Sequence, residues 1–387
     1  MSSLPIIKSE EDRERLFDGR GHTGLSNLGN TCFMNTVLQC ISKSFNFTEF
    51  MLCASEDDPT RRRYRKELER KGIERTLHGC RLTGNDVENL QKQLVLCMEK
   101  LLFAMYDMNN VVAPRSIHNC IQGLSLKMGR IEFVGHGQKD AEEFYGFLME
   151  QLHQGLCHKV RFTITGKPKN IYDRMALEAK ESWKRYFESE YSSIVELFYG
   201  QEYSVLTCPK CGHESGTFQP MNRVHLPLPS DTSSPVSLDD CFRLYNKGET
   251  LDDENTWHCE GCSNDVMANK RLSIWEKPNF LVVHLKRFTS DGRKINTLVN
   301  FPFFNCNIDP YCFGYGRDNI KYDLYAIANH TGGTGGGHYY AYCLDYDGMW
   351  REYNDTSVML RANSEDPESL SRLVTNSAYM LFYKKRV

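Results

Sequence analysis

Two segments far apart in the 387 residues hold the residue types of nucleophilic catalysis. The first is Gly24-Leu-Ser-Asn-Leu-Gly-Asn-Thr-Cys-Phe-Met-Asn35. Two glycines and two asparagines precede Cys32, which predicts a tight loop. Met34, Val37, Leu38 and Ile41 then fall at i, i+3, i+4 and i+7, one face of a helix. Cys32 is therefore expected in the first turn, roughly 200° around from Met34 and away from the apolar stripe. Unpaired N–H groups and the positive helix end favour thiolate over thiol there. The Cys32 backbone N–H and the Asn27 side-chain amide are the donors available to an oxyanion. On its own, a cysteine at a helix start is more often structural.

The second segment changes that balance. Asn329-His-Thr-Gly-Gly-Thr-Gly-Gly-Gly-His-Tyr-Tyr-Ala-Tyr342 brings His338 to a strand start through a glycine-rich run. Such glycines leave room for a substrate backbone and allow movement. Trp350-Arg-Glu-Tyr-Asn-Asp-Thr-Ser-Val358 follows. A hairpin through Leu344–Met349 would return Asn354 and Asp355 to His338, and either could accept the imidazole N–H and fix its tautomer. His330 is a competing base, though it precedes the glycine run. The order Cys, His, Asn/Asp is that of papain-like proteases.

These segments resemble the Cys and His boxes of the ubiquitin-specific proteases, the first reading close to GLxNLGNTCxxN and the second GGHY followed by W-x-x-[FY]-[ND]-D. Gly137-Gln-Lys-Asp-Ala-Glu-Glu-Phe144 resembles the family's Q-Q-D-A-x-E-F helix, with Lys139 in place of its second Gln. Phe198–Gln201, Leu226–Pro229 and His284–Phe288 are also family-like. The resemblance runs from about His22 to Tyr383. It implies Cys32 as nucleophile, His338 as base, Asn354 as its orienting residue with Asp355 as the adjacent candidate, and Asn27 at the oxyanion. It implies contacts to the ubiquitin tail from Gln138 and Asp140, and a narrow entry lined by Gly337 and Tyr339. The implied reaction is thiol-dependent hydrolysis after ubiquitin's C-terminal glycine. The alternatives are a protease for a ubiquitin-like modifier and a ubiquitin-holding scaffold without catalysis.

Cys208-Pro-Lys-Cys211 and Cys259-Glu-Gly-Cys262 form two C-x-x-C knuckles. Four thiolates close a tetrahedral structural zinc site. The gap between the pairs exceeds that of a compact ribbon, so the knuckles must sit on separate hairpins. His213 and His258 lie nearby and are not expected to be ligands. The missing His pair and a net charge of −3 disfavour a DNA-binding finger.

The elements that must position these groups follow from periodicity. Helical patterns dominate the first half: Phe144, Phe147, Leu148 and Leu152 repeat on one face, and Ile171–Phe198 reads as helix. Short β-branched or aromatic runs dominate later, at Phe280–Leu285, Tyr322–Ala328, His338–Leu344 and Ala378–Tyr383. The expectation is α+β. The resemblance adds a papain-like architecture, with a helical thumb (about 21–195), zinc-tipped β fingers (about 196–290) and a β palm (about 275–387). Residues 1–20 read as an N-terminal extension of uncertain order, before a single domain over 21–387.

The chain carries 47 Lys and Arg against 50 Asp and Glu, which gives no reason to expect nucleic acid or an anionic membrane as partner. The Arg-rich stretch 59–84 reads as a solvated helix and loop. Fifteen cysteines without a secretory signal point to reduced thiols in the cytoplasm or nucleus. Cys97 and Cys120 are expected to be small core residues. A monomer is expected.

Overall fold

Apolar periodicity in the first half of the chain becomes a set of helices. The computed structural model describes residues 10–52, 87–107, 109–229, 234–289, 291–333 and 336–386. The Arg-rich stretch 59–84, residues 1–9 and the glycine-loop tip 334–335 lie outside them. The helices are α1 (Glu10–Phe17), α2 (Cys32–Ser42), α3 (Phe45–Leu52), α4 (Val87–Asp107), α5 (Arg115–Lys127), α6 (Ala141–Leu156), α7 (Ile171–Phe187), α8 (Ser193–Phe198), α9 (Leu238–Lys247) and α10 (Pro367–Ser371). The main strands are β1 (Gly200–Thr207), β2 (Glu214–Met221), β3 (Val224–Pro227), β4 (Trp257–Cys259), β5 (Asn264–Val266), β6 (Asn269–Glu276), β7 (Phe280–Lys286), β8 (Lys321–Gly333), β9 (Gly336–Leu344), β10 (Met349–Asn354), β11 (Ser357–Asn363) and β12 (Ala378–Lys385). The fold is α+β, with helices early and strands late.

The chain divides into two densely packed units. The first is Met1–His158, Tyr191–Val195 and Tyr325–Leu373. Here α4 packs on α3, α5 and α6, while α2 packs on α6, β9 and β10. Every residue of α2 is buried, so this helix has no solvent face. Strands β8, β9, β10 and β11 form an antiparallel run in that order. Cys97 and Cys120 are buried core residues. Helix α1 also belongs to this unit. Phe17 is fully buried against Phe45, Tyr106 and Tyr346, so part of the expected extension is packed structure.

The second unit is Lys159–Glu190, Glu196–Leu324 and Val374–Val387. In it β2, β1 and β6 pair antiparallel. Strand β7 pairs antiparallel with β12 and parallel with β3. The expected continuous helix Ile171–Phe198 is split, because Tyr191 leaves helical geometry to bridge His158. No described helix is long and apolar enough to cross a membrane.

Candidate active site and four-cysteine cluster

The turn before Cys32 is built by side chain to backbone bonds. Asn27 Oδ1 accepts from the N–H groups of Gly29 and Thr31, each at 3.0 Å. Gly29 and Asn30 both take positive φ, which glycine and asparagine adopt at lower cost than other residues. Asn30 Nδ2 donates to the His136 carbonyl at 2.8 Å. Thr31 is the N-cap of α2, yet its side chain does not cap, which leaves first-turn N–H groups for Cys32.

Cys32 is the first residue of α2 and is only 4% exposed. The expectation of a face turned away from the core needs correcting, because α2 is covered on all sides. Burial pushes the Cys32 thiol up from its ordinary value. The Tyr339 backbone N–H pulls the other way, the nearby Asp355 carboxylate adds to the rise, and the Phe33 and Cys32 N–H groups oppose it. The helix end was expected to favour thiolate; desolvation outweighs it.

His338 is the third residue of β9, directly before the Tyr339 that reaches the sulfur. Its Nε2 lies 2.7 Å from Asn354 Oδ1 at the end of β10. The antiparallel pairing of β9 with β10 delivers this contact, through the hairpin expected between Leu344 and Met349. Asp355 does something else. Its carboxylate accepts from Asn27 Nδ2 at 2.9 Å and from Asn35 Nδ2 at 2.8 Å. Its carbonyl accepts from the Leu25 N–H at 2.7 Å. Gly24 lies so close to Thr356 that a Cβ would sit 2.4 Å from its carbonyl oxygen. Asn354 thus faces His338, and Asp355 holds the Cys32 loop and helix.

The other side of the site is the start of α6. Gln138 makes a two-way contact with Gly337, accepting from its N–H at 2.9 Å and donating to its carbonyl at 3.0 Å. Asp140 caps α6, with Oδ1 accepting from Glu142 N at 2.7 Å and Glu143 N at 3.2 Å. Its Oδ2 accepts from the Tyr339 hydroxyl at 3.2 Å. Burial first, then Asp140, push that hydroxyl far above its ordinary range. His330, the competing base, is buried opposite Tyr339 in the β8–β9 register, with ring centroids 4.5 Å apart. Asn35 was given no role from the sequence; its signal is an amide one turn after Cys32, on a helix whose every residue is buried.

A family model described as ubiquitin carboxyl-terminal hydrolase matches residues 23–383. The chain belongs to the ubiquitin carboxyl-terminal hydrolase family. It is 35% identical to human ubiquitin carboxyl-terminal hydrolase 2 over 374 residues, covering 94% of this chain and 55% of that protein. It is 31% identical to human ubiquitin carboxyl-terminal hydrolase 21, covering 99% and 65%. The chain spans about half the length of the first of these curated relatives. Among solved structures, it resembles a SAGA DUB module of Ubp8, Sgf11, Sus1 and Sgf73 bound to ubiquitin aldehyde. That likeness has a TM-score of 0.59 at 23% identity, covering 95% of this chain and 70% of that one. The same module bound to monoubiquitin matches with a TM-score of 0.60 at 24% identity, again over 95% and 70%. At these identities the likeness concerns the fold.

In this hydrolase-family chain the second unit carries the cysteine cluster. The β1–β2 turn holds Cys208 and Cys211, and the β4–β5 turn holds Cys259 and Cys262. Each knuckle closes with the same bond, Gly212 N to Cys208 O and Ser263 N to Cys259 O. Gly212 and Ser263 occupy the equivalent positive-φ position. Gly261 lets the knuckles meet, since a Cβ there would lie 2.8 Å from the His213 Cβ. The four sulfurs lie within 4.8 Å of one another, with Cys208–Cys262 at 3.8 Å and Cys211–Cys259 at 3.6 Å. A tetrahedral zinc at about 2.3 Å from each sulfur requires S···S edges of about 3.8 Å. The cluster can therefore hold a metal ion of that size. His258 pairs with Asp265 and His213 stacks on Trp257.

Proposed function

We propose that this chain is a thiol-dependent deubiquitinase that hydrolyses the isopeptide or peptide bond after the C-terminal glycine of ubiquitin. The observation that carries the reading is the contact of His338 Nε2 with Asn354 Oδ1, beside a Cys32 sulfur within reach of the Tyr339 N–H. Family membership and the ubiquitin-bound state of the related structures support the substrate.

With Nε2 engaged, Nδ1 of His338 takes the Cys32 proton as sulfur attacks the glycine carbonyl carbon. The S–C bond forms and the carbonyl electron pair moves to oxygen. The Cys32 N–H and the second Asn27 amide hydrogen serve that oxyanion, Asp355 holding the first. Collapse breaks the C–N bond, and His338 gives its proton to the departing amine. Water then attacks the thioester carbon as His338 accepts its proton; the S–C bond breaks, the ubiquitin carboxyl group is released, and His338 returns the proton to Cys32. Burial biases Cys32 toward the thiol, which gives His338 a proton to accept.

Gln138, Asp140, Gly337 and Tyr339 form the tail-binding side in this reading. The four cysteines would hold a zinc, which would fix the two hairpins to each other as a structural ion. The thumb, fingers and palm are the helical part, the zinc-bearing strands and the strands around His338. A cysteine nucleophile and four thiolates both need a reducing compartment, which supports a cytoplasmic or nuclear setting, with the chain acting as a monomer on ubiquitinated proteins rather than on nucleic acid or membrane.

The test is reaction with ubiquitin carrying a C-terminal electrophile, followed by peptide mapping. The expected adduct is on Cys32, and Cys32→Ala should abolish both adduct and hydrolysis while keeping ubiquitin binding. An adduct on another cysteine ends the assignment. Reaction only with a ubiquitin-like modifier moves the substrate, and binding without hydrolysis by the unaltered chain makes it a scaffold.

A further inference from the structure

Helix α2 carries Cys32 at its first residue, and Lys43 follows its last. Eleven residues at about 1.5 Å each put these ends about 16 Å apart. The helix lies on the β9–β10 hairpin, which carries His338 and Asn354 at its open end and Asp345–Gly348 at its turn. The Cys32 end is tied to the open end through Asp355, as described above. The Lys43 end is tied to the turn.

That second tie is a buried charge network. Lys43, with 0% of its side chain exposed, donates to Asp345 at 2.7 Å, itself 1% exposed, and to the Gly21 carbonyl at 2.7 Å. Its ammonium also lies 4.8 Å from the Tyr353 ring centroid. Arg351 reaches Asp345 at 2.8 Å and Asp347 at 2.6 Å. Two cations and two carboxylates therefore balance. His22, 3.8 Å from Asp345, is shifted toward its neutral form by burial first, with Asp345 opposing. The carboxylates of this His22–Asp345–Asp347 group are thus already occupied by the chain's own cations.

Asp345 also accepts from the Tyr353 hydroxyl, whose oxygen lies 2.8 and 2.9 Å from the two carboxylate oxygens and 3.2 Å from the Gly21 carbonyl oxygen. Tyr353 directly precedes Asn354. One carboxylate thus bonds both the residue ending the nucleophile's helix and the residue beside the base's orienting partner. We propose that Lys43 and Asp345 are a positioning pair that seats α2 on the hairpin and so sets Cys32 against His338. A network that only stabilised the fold would not need to join these two elements. The proposal rests on Cys32 and His338 acting together as assigned above.

The experiment compares unaltered chain, Lys43→Met, Tyr353→Phe and His338→Ala well below their melting temperatures. Two readouts are taken: the pH dependence of Cys32 alkylation by iodoacetamide, located by mass spectrometry, and kcat and KM on a fluorogenic ubiquitin substrate. Lys43→Met should lower kcat roughly ten- to hundredfold with KM within about twofold, the scale of a small misplacement of reacting groups. Its alkylation profile should shift toward that of His338→Ala. Tyr353→Phe removes only one hydroxyl and should move both readouts the same way by less. If folded Lys43→Met keeps the unaltered alkylation profile and kcat, the pair only stabilises the fold and the proposal is overturned. If Lys43→Met fails to fold, Tyr353→Phe decides, and an unaltered profile and kcat there overturn it. Alkylation needs no ubiquitin, so a wrong substrate would show as absent hydrolysis with the alkylation shift intact.

Discussion

The amide oxygen of Asn354 faces His338, whereas the carboxylate of the next residue, Asp355, accepts from Asn27 and Asn35. Adjacent side chains in that turn point to different tasks, and they should fail differently. Asn354→Ala is expected to lower kcat more per folded molecule, with the melting temperature nearly kept. Asp355→Ala loses two hydrogen bonds to a charged group, each contributing about 1.5–3 kcal/mol, so its melting temperature should fall more. Kinetics and thermal melts on both variants check this, and the reverse order in kcat transfers the orienting role to Asp355. From spacing alone these two residues were indistinguishable, since a hairpin returns both, and only the family resemblance favoured Asn354; the turn geometry, with Asp355 at φ 49°, points their side chains apart. Asp140 poses a similar choice. It caps α6 and holds Tyr339, and the proposed function also asks it to read the basic ubiquitin tail. Asn caps nearly as well as Asp but carries no charge. Asp140→Asn should therefore keep the melting temperature while kcat/KM on ubiquitin substrates falls. A fall in stability with unchanged kcat/KM would leave Asp140 as a cap alone.

At the scale of elements, strong periodicity was legible and departures from it were not. The start of α2 at Cys32, helix α6 after Asp140 and the four late strands follow from apolar spacing and turn residues. The break between α7 and α8 does not, because Tyr191 is drawn out by a bridge to His158, a contact distant in sequence. Nor did the sequence reveal that α1 packs through Phe17, or that a lysine closes the buried end of α2. Both depend on partners remote in the chain. The glycine run at 336–337 was read as freedom of movement, and Gly337 has a second reason. A Cβ there would lie 2.2 Å from His330 Nε2 and 2.4 Å from the Thr331 carbonyl oxygen. Gly337→Ala must therefore push β9 off β8 directly before His338, and disturb the Gln138 contact. The expected result is a loss of kcat of roughly a hundredfold, as small displacements of reacting groups can produce, with ubiquitin binding weakened less. Steady-state kinetics beside a binding isotherm would check it; full activity would mean that β8 yields without moving His338.

At the scale of the whole molecule, the two units place different demands on their cysteines. In the first, the proposed function asks of Cys32 a proton acceptor and a buried, ordered surround. In the second, four cysteine sulfurs at tetrahedral spacing can hold a cation, which would offset the repulsion of four thiolates brought together. Against burial, the Cys211 and Lys210 N–H groups point at the Cys208 sulfur and favour its ionised form. The two knuckles come from hairpins joined through separate strands, so a shared ion would cross-link parts of the chain that meet only after folding. Purified protein is thus expected to hold about one zinc per chain, measurable by atomic emission. Cys208→Ser should lose that zinc and lower the melting temperature by on the order of 5–10 °C, corresponding to a few kcal/mol in a unit of this size. Cys32 alkylation by iodoacetamide, measured below that melting temperature, should be unchanged, because Tyr339, Asp355 and Phe33, which bias its ionisation, belong to the first unit. Metal-free protein of unaltered stability would show that the thiols are held by packing alone. A change in Cys32 reactivity on losing zinc would instead mean that the second unit's order reaches the nucleophile.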